Sequence, residues 1–87
     1  MSQHSSHPEI IKRLKRAAGH LNSVIAMLED DKGCLAIAQQ LSAVESAITK
    51  AKKTLIHDHI DHCLEHSVKG KNSGKAVNEF KEITKYL

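Results

Sequence analysis

Two long runs of apolar residues recur along this chain at alternating steps of four and three, the spacing that gives a helix one apolar stripe. The first comprises Ile10, Leu14, Ala17, Leu21, Val24 and Leu28. Pro8 and Glu9 suit its first turn, and Ser5 or Ser6 stands near the cap position. The run stops at Glu29-Asp30-Asp31-Lys32-Gly33, so the pattern predicts an amphipathic helix of about five turns. The second run, Cys34, Ile37, Leu41, Val44, Ile48, Ala51, Leu55 and His59, keeps the same alternation without one Gly or Pro. Such a length predicts a helix that pairs with a copy of itself. Lys69-Gly70-Lys71-Asn72-Ser73-Gly74 reads as a break with Ser73 as a cap. Beyond it, Ala76 or Val77, Phe80, Ile83 and Leu87 mark a short final helix. No strand-like alternation and no internal repeat accompany these runs, so the fold class expected is all-α with three helices.

Composition narrows this picture. With no Trp, one Phe (Phe80) and one Tyr (Tyr86), the core must be built from Leu, Ile, Val and Ala, which suits packed helices better than a sheet. The 87 residues suffice for one domain, 1–87, with 1–7 as a flexible tail, and a domain this small gains much from oligomerisation. The polar start MSQHSSHPEI carries no apolar run of signal-peptide length, and no stretch approaches the ~20 apolar residues of a membrane helix. A cytoplasmic protein without a membrane partner is expected. In that reducing compartment Cys34 and Cys63 are ligands or reactive thiols rather than a disulfide.

Cys34, His59 and Cys63 are the residues that carry chemistry. On one continuous helix Cys34 and His59 stand roughly 37 Å apart at ~1.5 Å per residue, so one chain cannot bring them together. Two antiparallel copies can. Pairing residue 34 with 59, or with 63, centres the crossing near Ala47, where Ala43-Val44-Glu45-Ser46-Ala47-Ile48 offers small residues for close approach. His59 and Cys63 are neighbours one turn apart on one face. Thiolate and imidazole form a soft to borderline donor set, fit for Cu(I), Zn(II), or Ni(II) and Co(II) where more nitrogen is supplied. Two ordinary half-buried cysteines and a seam histidine satisfied by a carboxylate would give the same pattern.

Further donors flank the trio. His57, His62 and His66 stand at its C-terminal side, with His57 and His62 off the seam phase and expected in solvent. His4 and His7 lie in the tail and either could supply a further ligand. Removal of Met1 would leave Ser2-Gln3-His4, whose amine, two amides and imidazole can wrap Ni(II) or Cu(II) in a square plane. His20, inside the first helix, reads as structural.

Charge points to a second partner. Lys12, Arg13, Lys15 and Arg16 cluster on the first helix and Lys50, Lys52 and Lys53 on the second. Two-fold symmetry doubles both, giving a surface able to neutralise DNA phosphates, with Lys12, Arg13, Arg16, Lys50 and Lys53 as the candidate contacts; an ordinary solvated face would carry the same residues. No helix-turn-helix or zinc-finger signature accompanies them, so such a surface would read phosphates and shape.

Arg13-Leu14-Lys15-Arg16 with Gly19-His20-Leu21, then Cys34, then Ala38-Gln39-Gln40-Leu41-Ser42-Ala43-Val44, and finally His57-Asp58-His59-Ile60-Asp61-His62-Cys63 give the chain a family likeness. It resembles the CsoR/RcnR family of copper-, nickel-, cobalt- and formaldehyde-sensing repressors over about residues 8 to 87. The resemblance implies a three-helix subunit, an antiparallel dimer forming a four-helix core, and a tetramer of two dimers. It further implies an apo form bound to a GC-tract operator in double-stranded DNA and released by metal held between subunits. Cys34, His59 and Cys63 match the family's ligands, Arg13, Lys50 and Lys53 its basic DNA-binding positions, and Glu79 a carboxylate behind the copper site. The tyrosine partner of that carboxylate does not carry over, because Gly33 stands before Cys34.

The trio, the histidine-bearing tail and the absent tyrosine together favour Ni(II), with Co(II) beside it, over Cu(I). Formaldehyde or persulfide sensing and a metal buffer without DNA binding are the other readings. An enzyme acting on a small organic substrate is not expected: Cys63 and His59 are a conceivable thiol and base pair, but the chain has too few residues to enclose a substrate.

Overall fold

The computed structural model describes residues 6–68 and 73–87, with the side chains of 63–68, 73 and 76 outside the description. Three helices follow in order: α1 from His7 to Glu29, α2 from Cys34 to Val68 and α3 from Ser73 to Thr84. All three expected helices are present. His7, expected in the flexible tail, is instead the first helical residue, because Ile10 N–H already donates to Ser6 O at 2.9 Å. α3 stops before Leu87, which follows a turn over residues 85–86. Of the expected break from Lys69 to Gly74, residues 69–72 lie outside the described residues, while Ser73, expected as the cap, and Gly74 are already the first residues of α3.

The α1 start shows an unusual use of its cap. Ser6 occupies the N-cap position, yet its hydroxyl bonds no backbone N–H of the first turn and donates instead to Asp58 Oδ2 at 2.7 Å. The other end of α1 closes in a full Schellman arrangement. Lys32 N–H donates to Met27 O at 2.9 Å and Asp31 N–H to Leu28 O at 3.1 Å, with Asp31 held at φ 57 in the left-handed region. Gly33 O then accepts Ile37 N–H at 3.1 Å and opens α2.

His20 meets Gln40 and Ser6 meets Asp58, partners whose numbers rise on one helix as they fall on the other, so α1 and α2 form an antiparallel hairpin. α3 packs on α2 and makes no contact set with α1 among the described residues. A 35-residue α2 runs about 52 Å at 1.5 Å per residue and sets the longest dimension, 57 Å. No helix among the described residues is long and apolar enough to cross a membrane.

The packing splits each apolar run into two rows of every seventh residue. Ile10, Ala17 and Val24 of α1 and Ile37, Val44 and Ala51 of α2 are buried; Val24, Ile37 and Val44 pack in one cluster with Met27 against it, and Ile56 is buried further along. The alternate rows stay out of this core. Leu14, Leu21 and Leu28 with Ile25 on α1, and Leu41, Ile48 and Leu55 on α2, remain 38% to 58% exposed. A single chain therefore satisfies half of its amphipathic pattern. No polar residue is buried among those described.

Candidate functional site

The hairpin carries chemistry on opposite sides. Arg13, Arg16 and His20 lie three or four residues apart on α1, which puts them on one face one turn after another. Across from them on α2 stands Lys50. Together these four rim a groove of about 380 Å³ floored by Ala17, Ala43, Ser46 and Ala47. Short floor residues leave the cationic ends room to converge on an anion. Glu9 lies 3.5 Å from the Arg13 guanidinium, an exposed pair one turn apart that orients the side chain weakly. The His20 ring is hydrogen-bonded to Gln40 Oε1, which straps α1 to α2 at the groove edge. Lys12 and Lys53 are exposed but stand outside the groove lining.

Ala43, Ser46 and Ala47, expected to let two copies approach, floor the basic groove within the single chain. His20 is structural in its bond to Gln40 and also a groove residue. Its spacing of seven from Arg13 and four from Arg16 was the signal that could have shown it.

The other side of the hairpin is the exposed apolar row, and the ligand candidates stand at its ends. Cys34, Leu41, Ile48 and Leu55 are spaced by seven, and His59 follows one turn later. Cys34 is an exposed free thiol at the first residue of α2. His59 is half-buried, and its Nε2 lies 3.5 Å from Glu79 Oε2 of α3. α3 thus brings to His59 the carboxylate that the resemblance named. Around the pair lies an open groove of about 690 Å³ lined also by Lys75, Asn78, Glu82, Ile83 and Tyr86. Tyr86 was not anticipated there. It shares a flank of the C-terminal segment with Glu79 because the two are seven residues apart, a spacing visible in the sequence.

Among the described residues no three His, Cys, Asp or Glu side chains converge within the chain. Helical rise accounts for the separation of Cys34 from His59, roughly 37 Å along α2. Cys63 continues α2 one turn beyond His59, with its side chain outside the described residues, as is that of His66. His57 is exposed as expected, but His62 is half-buried. It lies seven residues after Leu55 and eleven after Ala51, between the two rows, and so turns partly inward.

The start of α1 comes to the same end of the molecule. His7, Leu14, Leu21 and Leu28 are again spaced by seven, so His7 heads the exposed row of α1 and is half-buried. The Ser6 to Asp58 hydrogen bond fixes this end of α1 beside the residue that precedes His59. His4 lies outside the described residues. The start of α1 thus brings an imidazole-bearing residue, His7, to the end of the hairpin that carries His59.

Residues 6–86 match the family described as metal-sensitive transcriptional repressor. The chain is 36% identical over 76 residues to the copper-sensing transcriptional repressor CsoR of Mycobacterium ulcerans (strain Agy99), covering 87% of this chain and 65% of the relative. It is 35% identical over 81 residues to the protein of the same name from Bacillus subtilis (strain 168), covering 88% of this chain and 80% of that one. The solved structure of the nickel-responsive transcriptional regulator InrS superposes with a TM-score of 0.85 at 26% identity, covering 99% of this chain and 96% of the other. The chain spans about 65% of the length of the mycobacterial relatives it matches.

Proposed function

Because this chain belongs to the CsoR/RcnR family of metal-sensing transcriptional repressors, we propose that it represses by binding operator DNA in its metal-free form and lets go on binding Ni(II), with Co(II) as the second effector. The relatives named for copper and the structure named for nickel leave both metals within the family's reach. The observation that carries the nickel reading is the docking of the α1 start at the His59 end through Ser6 and Asp58. It brings His7 to the end of the molecule that carries His59, with His4 three residues earlier in sequence, and Ni(II) is better served by added nitrogen than Cu(I), which is content with thiolate and imidazole. Gly33 in the position of the copper-type tyrosine points the same way.

The complete site needs a second copy. Half-exposed Leu and Ile side chains along two helices would each contribute about 1 kcal/mol on further burial, which favours an antiparallel dimer through these rows. In that dimer Cys34 of one copy comes beside His59 and Cys63 of the other, twice. A tetramer would join two such dimers. When bound there, the metal supplies coordination bonds spanning the two copies.

What the chain's own residues do follows from their arrangement. Arg13, Arg16 and Lys50 hold phosphates in the groove, with Lys12 and Lys53 adding longer-range attraction. Glu79 orients the His59 ring from α3. Lys50 and His59 ride on one uninterrupted helix, so a shift of the His59 end against the second copy changes the spacing of the paired grooves. Coupling of about 1–3 kcal/mol per site suffices to weaken operator affinity from several-fold to a hundredfold. The protein so described acts in the cytoplasm on DNA and is a regulator, not an enzyme.

The test is titration of the protein on operator DNA with Ni(II), Co(II), Cu(I) and Zn(II) at buffered free concentrations. Release by Ni(II) at the lowest free concentration relative to its cellular range supports the assignment. Release by Cu(I) alone transfers it to copper, the reading favoured by the identity with the copper-sensing relatives. No operator binding at physiological salt would make the chain a metal buffer.

A further inference from the structure

We propose that Ser6 and Asp58 form a clamp whose task is to hold the histidine-bearing start of the chain against the metal site, so that these two residues, neither of them a ligand, determine metal preference. The inference rests on the nickel reading above and deepens it.

Three observations carry it. The first is that Ser6 gives up a bond it is placed to make. A serine at the N-cap ordinarily accepts from an N–H of the first turn, a contact whose loss costs ~1 kcal/mol, yet here the hydroxyl donates 2.7 Å to a carboxylate on another helix. Asp58 is the stronger partner because a hydrogen bond to an ionised group, shielded in a partly buried site, exceeds a neutral cap bond. The second is position. Asp58 directly precedes His59, and Ser6 directly precedes His7, so the clamp joins the backbone at one candidate ligand to the backbone at another across 52 residues of sequence. The third is phase. His7 heads the exposed row of α1 and His59 closes that of α2, so both belong to the face on which a second copy would bring Cys34.

Tethering makes the clamp matter for one metal more than another. His7 directly follows the anchored Ser6 and is the first residue of α1, so its backbone is held by the clamp itself. A donor held in this way is captured with little loss of chain entropy, whereas an unanchored start must be ordered at each binding event. Only a metal that recruits that donor feels the difference.

Ni(II) and Cu(I) affinities measured by chelator competition, with circular dichroism to verify helix content, test this on Ser6→Ala, Asp58→Ala, Ser6→Thr and the double variant His4→Ala/His7→Ala. The clamp predicts that Ser6→Ala and Asp58→Ala weaken Ni(II) binding roughly tenfold, equivalent to about 1.4 kcal/mol. Both should leave Cu(I) binding unchanged, and Ser6→Thr, which keeps the hydroxyl, should restore Ni(II) affinity and its thiolate-to-nickel absorption band. Equal weakening of both metals, or wild-type Ni(II) affinity in Ser6→Ala while the double histidine variant loses it, overturns the clamp and leaves the nickel reading standing. Unchanged Ni(II) affinity in the double histidine variant removes the tail from the site and overturns both.

Discussion

The two sides of the α1–α2 hairpin differ in how far one chain can complete them. The basic groove is whole: Arg13, Arg16, His20 and Lys50 surround a floor of Ala17, Ala43, Ser46 and Ala47, and cationic side chains wait in water at little cost. The apolar side is half-made. Leu14, Leu21 and Leu28 face outward with Leu41, Ile48 and Leu55, and the ligand candidates Cys34 and His59 stand at opposite ends of it. A site for a polymer of phosphates can be built on one subunit and repeated by symmetry. In the proposed dimer, a site whose donors lie towards opposite ends of one helix would be built by the same contact that buries the apolar rows, which would tie metal capture to assembly geometry.

The sharpest way to break this division is a charge in the exposed row. Ile48→Asp puts a carboxylate near the centre of the proposed two-fold, where burial without a partner costs several kcal/mol and the symmetry mate adds repulsion. Sedimentation should show loss of self-association, and metal affinity should fall with it. An unchanged oligomer would mean that these rows are not the contact.

A pair of substitutions then asks whether the sides are separable. Cys34→Ala should keep operator affinity and abolish release by metal, removing the coupling of about 1–3 kcal/mol per site. Lys50→Ala should do the reverse: operator affinity falls for every sequence, the salt dependence shallows by about one counterion per lost contact, and metal affinity holds. Loss of DNA binding in Cys34→Ala, or of metal binding in Lys50→Ala, would show that the two sides are not independent surfaces.

The sequence told helices from strands readily, because four-three alternation has no β counterpart, and Pro8, Glu9 and the Glu29–Gly33 segment bounded α1 to within a residue or so. The Cys34, His59 and Cys63 spacing was legible for the same reason: on a helix without Gly or Pro, residue number is position. What the alternation concealed is that it serves two contacts. Leu14 and Ala17 look alike in a pattern of apolar steps, yet Ala17 faces α2 and Leu14 faces away, and only the tilt of the antiparallel pair decides between them. Smallness alone does not say which neighbour approaches, so Ala43, Ser46 and Ala47, which suggested a helix crossing, gave no hint that they also floor the basic groove. Ser6 looked like a cap, since nothing local announces a carboxylate 52 residues away.

Truncating one residue from each row separates the two contacts energetically. Val24 is 1% exposed in the intrachain core, so Val24→Ala should lower stability by about 2 kcal/mol at every protein concentration. Leu21→Ala removes a larger side chain from the exposed row, and its cost should grow where the chain self-associates and shrink on dilution. Denaturant melts at two concentrations a hundredfold apart distinguish them. A concentration-independent Leu21→Ala effect would place Leu21 in the intrachain core after all.

The smallest expected effect tests the turn that both sides share. Asp31 sits at φ 57, where an L-residue pays for the approach of its Cβ to the backbone and glycine does not. Glycine also brings a more disordered unfolded chain, which takes back part of that relief. The balance should leave Asp31→Gly more stable by about 0.5 kcal/mol, and Asp31→Ala, which keeps the Cβ but loses the local polar contacts that let Asp tolerate this region, less stable by a similar amount. Because the turn sets the register of α1 on α2 without belonging to either surface, both variants should shift the melting temperature while leaving operator and metal affinities as they were. A change in operator affinity without a change in metal affinity would mean that the turn's geometry, and not the groove residues alone, sets the spacing of Arg13 and Lys50 across the hairpin.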